Sequence, residues 1–255
     1  MSTLRKIIKR LVPESLLRAR RRWINDRQER RLSGLSAAEA FGEIYSSGGW
    51  GGGSGDDFFS GPGSHDPEVV GPYVAAIRSF AEQAPSRLDA VDLGCGDFNV
   101  GAQLRSAFGA YRAFDVVPAL IERNQARYAD LDVAFGCIDI AEDPLPAGDV
   151  VMIRQVLQHL SNEQIAKVVP KLRRYRYAII SEHLPAAAAF TPNIDKPMSG
   201  GTRLDREQIG RGEGSGVVLT EPPFSLPILA ERTLCQIDDR LIPNAVIRTT
   251  LYELG

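Results

Sequence analysis

The stretch Leu88–Val117, LDAVDLGCGDFNVGAQLRSAFGAYRAFDVV, holds two short apolar runs separated by a helix-length segment. Leu88–Leu93 reads as a strand closed by Gly94, Val100–Phe108 as a helix, and Tyr111–Val116 as a second strand ending near Asp115. That is the βαβ period of a parallel sheet. The period continues downstream. Pro118–Tyr128 reads as a helix with Pro at its first turn, and Val133–Ile140 and Asp149–Gln155 as the third and fourth strands. Ser161 with Gln164 forms a capping box for a helix through Leu172, and Tyr177–Glu182 is a fifth strand. Leu229–Ile237 and Ala245–Tyr252 are close enough to form a hairpin, so the last strand runs antiparallel. The expected fold is α/β: a Rossmann-like, seven-stranded, mostly parallel sheet with an antiparallel last strand, helices on both faces and an N-terminal helical extension.

Upstream of the first strand, Ala37–Tyr45 reads as a short helix, and Pro67–Gln83 has Val70, Val74, Ile77 and Phe80 at helical spacing. Between them lies Ser46–Ser64, SSGGWGGGSGDDFFSGPGS, with glycine at eight of nineteen positions and Trp50, Phe58 and Phe59 among them. Glycine-rich composition makes it a loop. A plain linker is one reading; aromatics on a mobile backbone favour a lid that folds over a ligand.

The chain has 255 residues and a formal charge of −2, which allows one large domain with an appendage. The near-neutral total hides a division. Residues 1–31 hold eleven basic and three acidic side chains, a balance of +8 that leaves −10 for the rest. Leu4, Ile7, Ile8 and Leu11 follow a helical pattern, Pro13 interrupts it, and Leu16, Leu17, Trp23 and Ile24 suggest a second short amphipathic piece. The division expected is a basic amphipathic extension over 1–36 and a catalytic-type domain over 37–255. The extension suits an anionic membrane surface, or a helix packed on the acidic body of its own chain or a partner. Nucleic acid is a weaker fit, because Trp23 stands alone among the basic residues.

Cys95, Cys137 and Cys235 are scattered, so neither a disulfide framework nor a zinc pattern is expected. With three histidines and no carboxylate cluster around them, no metal site is expected. No apolar run reaches the roughly 20 residues that span a bilayer, and no signal peptide is apparent. The expected location is the cytoplasm, with peripheral attachment at the inner membrane face.

The chemistry concentrates at Asp92-Leu-Gly-Cys-Gly-Asp97, at a strand end before a helix, where glycines let the backbone approach a ligand at the carboxyl edge of the sheet. Asp115, about twenty residues on, is placed to hold the two hydroxyls of a ribose. A dinucleotide fold shares that acid, but Asp92 and Asp97 would repel a diphosphate. S-adenosylmethionine, which carries an ammonium and a sulfonium and no phosphate, suits an acidic loop.

On these residues the chain resembles the class I S-adenosylmethionine-dependent methyltransferases: Asp92–Gly96 resembles their motif I and Asp115 their acid after the second strand. VDLGCGDFNV, FDVVPALIERNQARY and IDIAEDPLPAGDVVMIRQVLQHLS, with FGEIYSSGGW, SGPGS and EPPFSLP, are similar to a group of small bacterial methyltransferases over roughly residues 41–255. The broad family has a third glycine where this chain has Phe98; in the smaller group GDF is the usual form. The resemblance implies that Asp92, Gly94 and Gly96 surround the methionine portion of the cofactor, Asp92 through water or backbone, with Cys95 and Asp97 in the same cofactor-binding loop, that Asp115 holds the ribose, that Asp139 with Ile140 contacts the adenine, and that Gln155 faces the methionine moiety. Each has a plainer alternative: Asp139 can cap a turn, Gln155 can satisfy backbone groups, and Cys95 is a packing residue rather than a nucleophile.

Methyl transfer is an in-line displacement, and a hydroxyl acceptor needs a base. His159, just past the fourth strand, is the favoured base or orienting group, with a helix-start histidine as the alternative. Glu182 and His183 after the fifth strand are expected to face the same crevice. His65 reads as a solvated loop residue. RQVL stands where amino-group methylation signatures would fall, which favours O-methylation of a small-molecule or sugar acceptor. Protein or RNA methylation, a non-catalytic scaffold and, third, a dehydrogenase are the alternatives. Oligomeric state is not readable.

Overall fold

The computed structural model describes residues 14–51, 58–204, 214–239 and 242–255. Seven strands form one sheet: β1 (Ala90–Leu93), β2 (Tyr111–Asp115), β3 (Ala134–Cys137), β4 (Val150–Arg154), β5 (Tyr177–Pro185), β6 (Ala230–Asp238) and β7 (Ala245–Glu253), in the order β3-β2-β1-β4-β5-β7-β6. The first five are mutually parallel, and β7 inserts antiparallel between β5 and β6. The fold read from the sequence is the one formed.

Strand alternation sends side chains to two cores. Val91, Leu93, Val151, Ile153, Ala178 and Ile180 pack on one face with α2 (Ala37–Ser46), α5 (Pro118–Arg127) and α6 (Asn162–Leu172). Ala90, Ala113, Val150, Met152 and Ile179 pack on the other with α3 (Pro67–Gln83) and α4 (Gly101–Leu104). Burial on both faces is why β4 reads VVMIR, a continuous apolar run instead of an alternating one.

Three elements differ from the reading. The helix expected over Val100–Phe108 is one α-turn, α4, followed by a 3-10 turn. β3 stops at Cys137, where the chain leaves the sheet toward the turn closed by Asp139. β5 overruns Glu182 to Pro185, because β7 offers partners as far as Ala245. The second amphipathic piece of the extension is one continuous helix, α1 (Glu14–Leu32), whose last residue, Leu32, is buried in the first core; the piece expected over Leu4–Leu11 lies outside the described residues. β3 and β6 are the two edges of the sheet, and β6 is irregular between Thr233 and Cys235 and largely exposed.

The capping box at the start of α6 is complete: Ser161 Oγ accepts from Gln164 N, and the Gln164 side chain accepts from Ser161 N. Ser161→Ala is expected to cost about 1 kcal/mol in urea unfolding. A change within error would show the box to be idle.

Candidate active site

The carboxyl ends of β1, β2, β3 and β4 open into a cleft of ≈ 320 Å³. The loop after β1 forms its floor. Gly94 N and Cys95 N donate to Phe114 O (2.8 and 2.9 Å), and Gly96 N donates to Asp115 Oδ2 (3.1 Å). Gly94 and Gly96 both have positive φ, and a Cβ at either would run into Val156 or Ser60. Asp115, buried, also accepts from Val117 N at Oδ1 (3.2 Å). Burial pushes its carboxyl up to about 6 against those backbone bonds. Asp92 accepts from Tyr111 Oη (3.0 Å); burial raises it to about 7, against the pull of Tyr111 and Arg154. The Cys95 thiol is pushed well up by burial and by Asp115 and Asp92, which keeps it protonated and fits the packing role.

Asp97, also buried, is spent on fastening the glycine-rich loop. Its Oδ2 accepts from Ser60 N (2.9 Å) and meets His65 Nε2 (2.6 Å), while its own N–H donates to Ser60 Oγ (2.8 Å). Tyr45 Oη lies 3.2 Å from the same Ser60 Oγ. His65, read as solvated, is therefore part of a latch between this loop and the β1 loop. Within the loop read as a lid, residues 52–57 lie outside the described residues. Trp50 is held by Nε1 donating to Gly200 O (3.2 Å).

Asp139 does cap a turn, with Oδ1 accepting from Ala141 N (2.9 Å), and it still lines the cleft beside Ile138 and Ile140. Arg154 and Gln155 line the cleft at the end of β4, and Gln155 has φ +56°.

The far end of the cleft corrects two expectations. β5 continues past residue 182, so Glu182 and His183 point to opposite faces. Glu182 does not line the cleft; it lies under the turn after β4, its two oxygens accepting from Leu157 N (3.0 Å) and Gln158 N (3.1 Å), and burial pushes it up to about 8. His183 does line the cleft, with Nδ1 2.8 Å from Gln158 Oε1 and Nε2 3.0 Å from Asp239 Oδ2. The His183 backbone N–H also donates to Gln158 Oε1 (3.2 Å), which fixes the amide with its NH₂ toward His159 Nε2 (3.3 Å). His159 is thus neutral, with Nδ1–H toward Gly201 O (3.3 Å). Burial, with Lys196 nearby, pushes it down to about 3, too low for a base at neutral pH. Its ring packs by Trp50, centroids 5.4 Å apart.

The turn carrying Gln158 and His159 is also held from beneath by Arg203, 1% exposed. Its Nη1 donates to Leu157 O (3.1 Å) and Gln158 O (3.2 Å), Nη2 to Leu160 O (2.7 Å) and Asn162 Oδ1 (2.9 Å), and Nε to Ile194 O (3.2 Å). Arg154, Gln158, Arg203 and Asp239 escaped the sequence reading. Asp239 stood in the predicted hairpin connection, and no spacing marks a buried arginine. Among the described residues no three His, Cys, Asp or Glu side chains are grouped to hold a metal ion.

Residues 90–176 match the family model of a methyltransferase domain. The fold is similar to that of magnesium protoporphyrin IX methyltransferase from Synechocystis PCC 6803, solved with bound S-adenosylmethionine, at 16% identity and a TM-score of 0.53 over 87% of this chain and 99% of that one. It is also similar to the N-methyltransferase NodS from Bradyrhizobium japonicum WM9, solved with S-adenosylhomocysteine, at 12% identity and a TM-score of 0.56 over 83% of this chain and 99% of that one. No curated protein matches the sequence. Domain match and structural neighbours agree on the fold: residues 90–176 match a methyltransferase domain, and the seven-stranded sheet around them is that of the Rossmann-like methyltransferase structures.

Raised carboxyl pKa values mean that the folded protein holds these protons more tightly than the unfolded chain does. The ligand-free protein is therefore expected to lose stability as pH rises through the values of Asp115, Asp92 and Glu182, about 6, 7 and 8. Melting temperature should fall from pH 5 to pH 8, and Asp92→Asn should flatten the fall. A melting temperature that rises over this range contradicts the assignment.

Proposed function

We propose that this chain methylates a hydroxyl of a small-molecule or sugar acceptor, and that it stands with the small bacterial methyltransferases carrying GDF and SGPGS. The observation that carries this reading is the single cleft that joins Asp92, Asp115 and Asp139 at one end to His183 and Asp239 at the other. The residues present fit S-adenosylmethionine. The acidic loop suits an ammonium and a sulfonium, and buried donors at Arg154 and Gln155 lack partners. When bound, the cofactor supplies a methyl group made electrophilic by positively charged sulfur.

Asp115 would hold the ribose hydroxyls; each of its oxygens takes one loop N–H and has capacity for another bond. Asp92, Gly94, Cys95 and Gly96 would line the methionine portion, with Asp92 acting through water or backbone, and Asp139 and Ile140 the adenine. Gln155 would face the methionine moiety, and Asp97 acts by holding the loop closed. At the acceptor end, His183, with Nδ1 turned to Gln158 Oε1 and Nε2 to Asp239, would orient the hydroxyl, and the Asp239 carboxylate would take its proton. His159 and Glu182 support this through Gln158: one fixes the amide, the other the turn that carries it. Trp50 and His159 wall the pocket and exclude water.

Calorimetric titration with S-adenosylmethionine and S-adenosylhomocysteine tests the reading. Both should bind, NADH should not compete, and Asp115→Ala should weaken binding about tenfold or more. A folded wild-type protein that binds neither compound points to the scaffold alternative.

The extension supplies a place of work. Leu16, Arg20, Trp23 and Arg27 fall at i, i+4, i+7 and i+11 on α1, one helix face. All four are exposed, and Arg27 stacks over Trp23 at 5.7 Å. The helix is anchored to the body on its other sides, with Gly200 N donating to Gln28 Oε1 (3.2 Å) on one flank and Leu32 buried in the core nearly opposite the stripe. No described helix is long and apolar enough to cross a membrane. An outward stripe of Arg, Leu and Trp fits a peripheral site on anionic lipid at the inner membrane face, where a lipid-linked sugar would be presented. The protein should co-sediment with anionic vesicles and lose this on deletion of residues 1–31 or on Trp23→Ser. Equal sedimentation of the truncated chain rejects the idea; salt-sensitive RNA binding through the same residues would turn it toward RNA methylation.

A further inference from the structure

Arg154 and Gln155 end β4 on the wall of the cleft, and each has a buried nitrogen without a hydrogen-bond partner, Nε of Arg154 and Nε2 of Gln155. The other two nitrogens of Arg154 are engaged with one turn of the glycine-rich loop. Nη1 donates to Ser64 Oγ (3.2 Å) and Nη2 to Gly63 O (2.6 Å), and the guanidinium lies over the Tyr73 ring at 5.0 Å. Gln155 packs beneath the same turn, where a Cβ on Gly63 would stand 2.7 Å from Gln155 Oε1. Its φ of +56° is a left-handed conformation that a non-glycine residue adopts at a cost.

A buried N–H left unmet is unfavourable, and buried polar groups are ordinarily paired. Two such donors on adjacent residues of one wall point to an acceptor that arrives with a ligand. A charged donor beside an amide donor fits a carboxylate. Asp92 lines the same cleft and fits an ammonium. Carboxylate and ammonium together define an α-amino acid.

We propose that Arg154, assisted by Gln155, receives the carboxylate of the cofactor's amino-acid half and couples its binding to closure of the Gly61–Ser64 turn. The proposal rests on reading the cleft as an S-adenosylmethionine site. One guanidinium then serves two clients: Nη1 and Nη2 hold the loop, and Nε holds the ligand. Occupancy by the carboxylate fixes the guanidinium plane and with it the turn that shields the cleft.

The test compares S-adenosylmethionine with its decarboxylated form, which keeps adenosine, sulfonium and ammonium and lacks only the carboxylate. Wild-type protein should prefer the carboxylated form about tenfold or more in calorimetry. Arg154→Lys should narrow that preference and Arg154→Gln should bring it near one, the loss of the loop bonds weakening both compounds alike. A preference retained by folded Arg154→Gln overturns the proposal. Amide hydrogen exchange of residues 58–66 in the wild-type protein reads the coupling without any substitution. The carboxylated form should slow exchange more than the decarboxylated one, and equal slowing overturns the coupling. If neither compound binds wild-type protein, the reading of the cleft itself falls, an outcome distinct from binding that ignores Arg154.

Discussion

A guanidinium removed from water must have its donors met, and Arg203 meets all five from the chain around one short turn. Three of its acceptors are the carbonyls of Leu157, Gln158 and Leu160, while Glu182 takes the amides of Leu157 and Gln158 from the other side. The turn is therefore clamped by a cation on its carbonyls and a carboxyl group on its amides. A 3-10 turn has little intrinsic persistence, so this pair of buried side chains determines where Gln158 and His159 stand. Through Gln158 it also sets the orientation of His183, and so the shape of the acceptor end.

The opposite wall works by a related principle with different parts. Asp97 and Arg154 both reach from the sheet edge to the glycine-rich loop, one through Ser60 and His65, the other through Gly63 and Ser64. A loop of glycines has no side chains with which to hold itself, so its closed position is written in the residues it touches. The two walls divide the labour: one is fixed in place by full burial, and the other is fastened by side chains that also line the cleft.

What could be read from the sequence follows the range of the interactions involved. The helix beginning at Pro118 and the Ser161 box were legible because Pro at a first turn and a paired cap act within one turn of chain. Asp92, Asp115 and Asp139 were legible because each lies at or just beyond the end of a parallel strand, and such ends meet at one edge. Glu182 and His183 were not separable, because which one faces the cleft depends on β5 continuing, and that depends on β7 some sixty residues away. His159 was read as the base or orienting group; that both its ring nitrogens are engaged was not legible, because their partners, Gln158 and Gly201, do not mark themselves in sequence. Arg154 and Asp239 belong to the same class, polar residues whose partners are distant in sequence.

The edge strand β6 carries a further consequence. An unpaired strand edge is a template for another chain, and here it bears Glu231, Arg232 and Asp238 and a bulge between Thr233 and Cys235. Charges and an irregular ladder make it a poor surface for adding an eighth strand. The hairpin thus seals the sheet at the end where the acceptor pocket closes. Crowding among copies of this protein meets a barrier at β6 that is written in side-chain charge and backbone register, and it costs the cleft nothing.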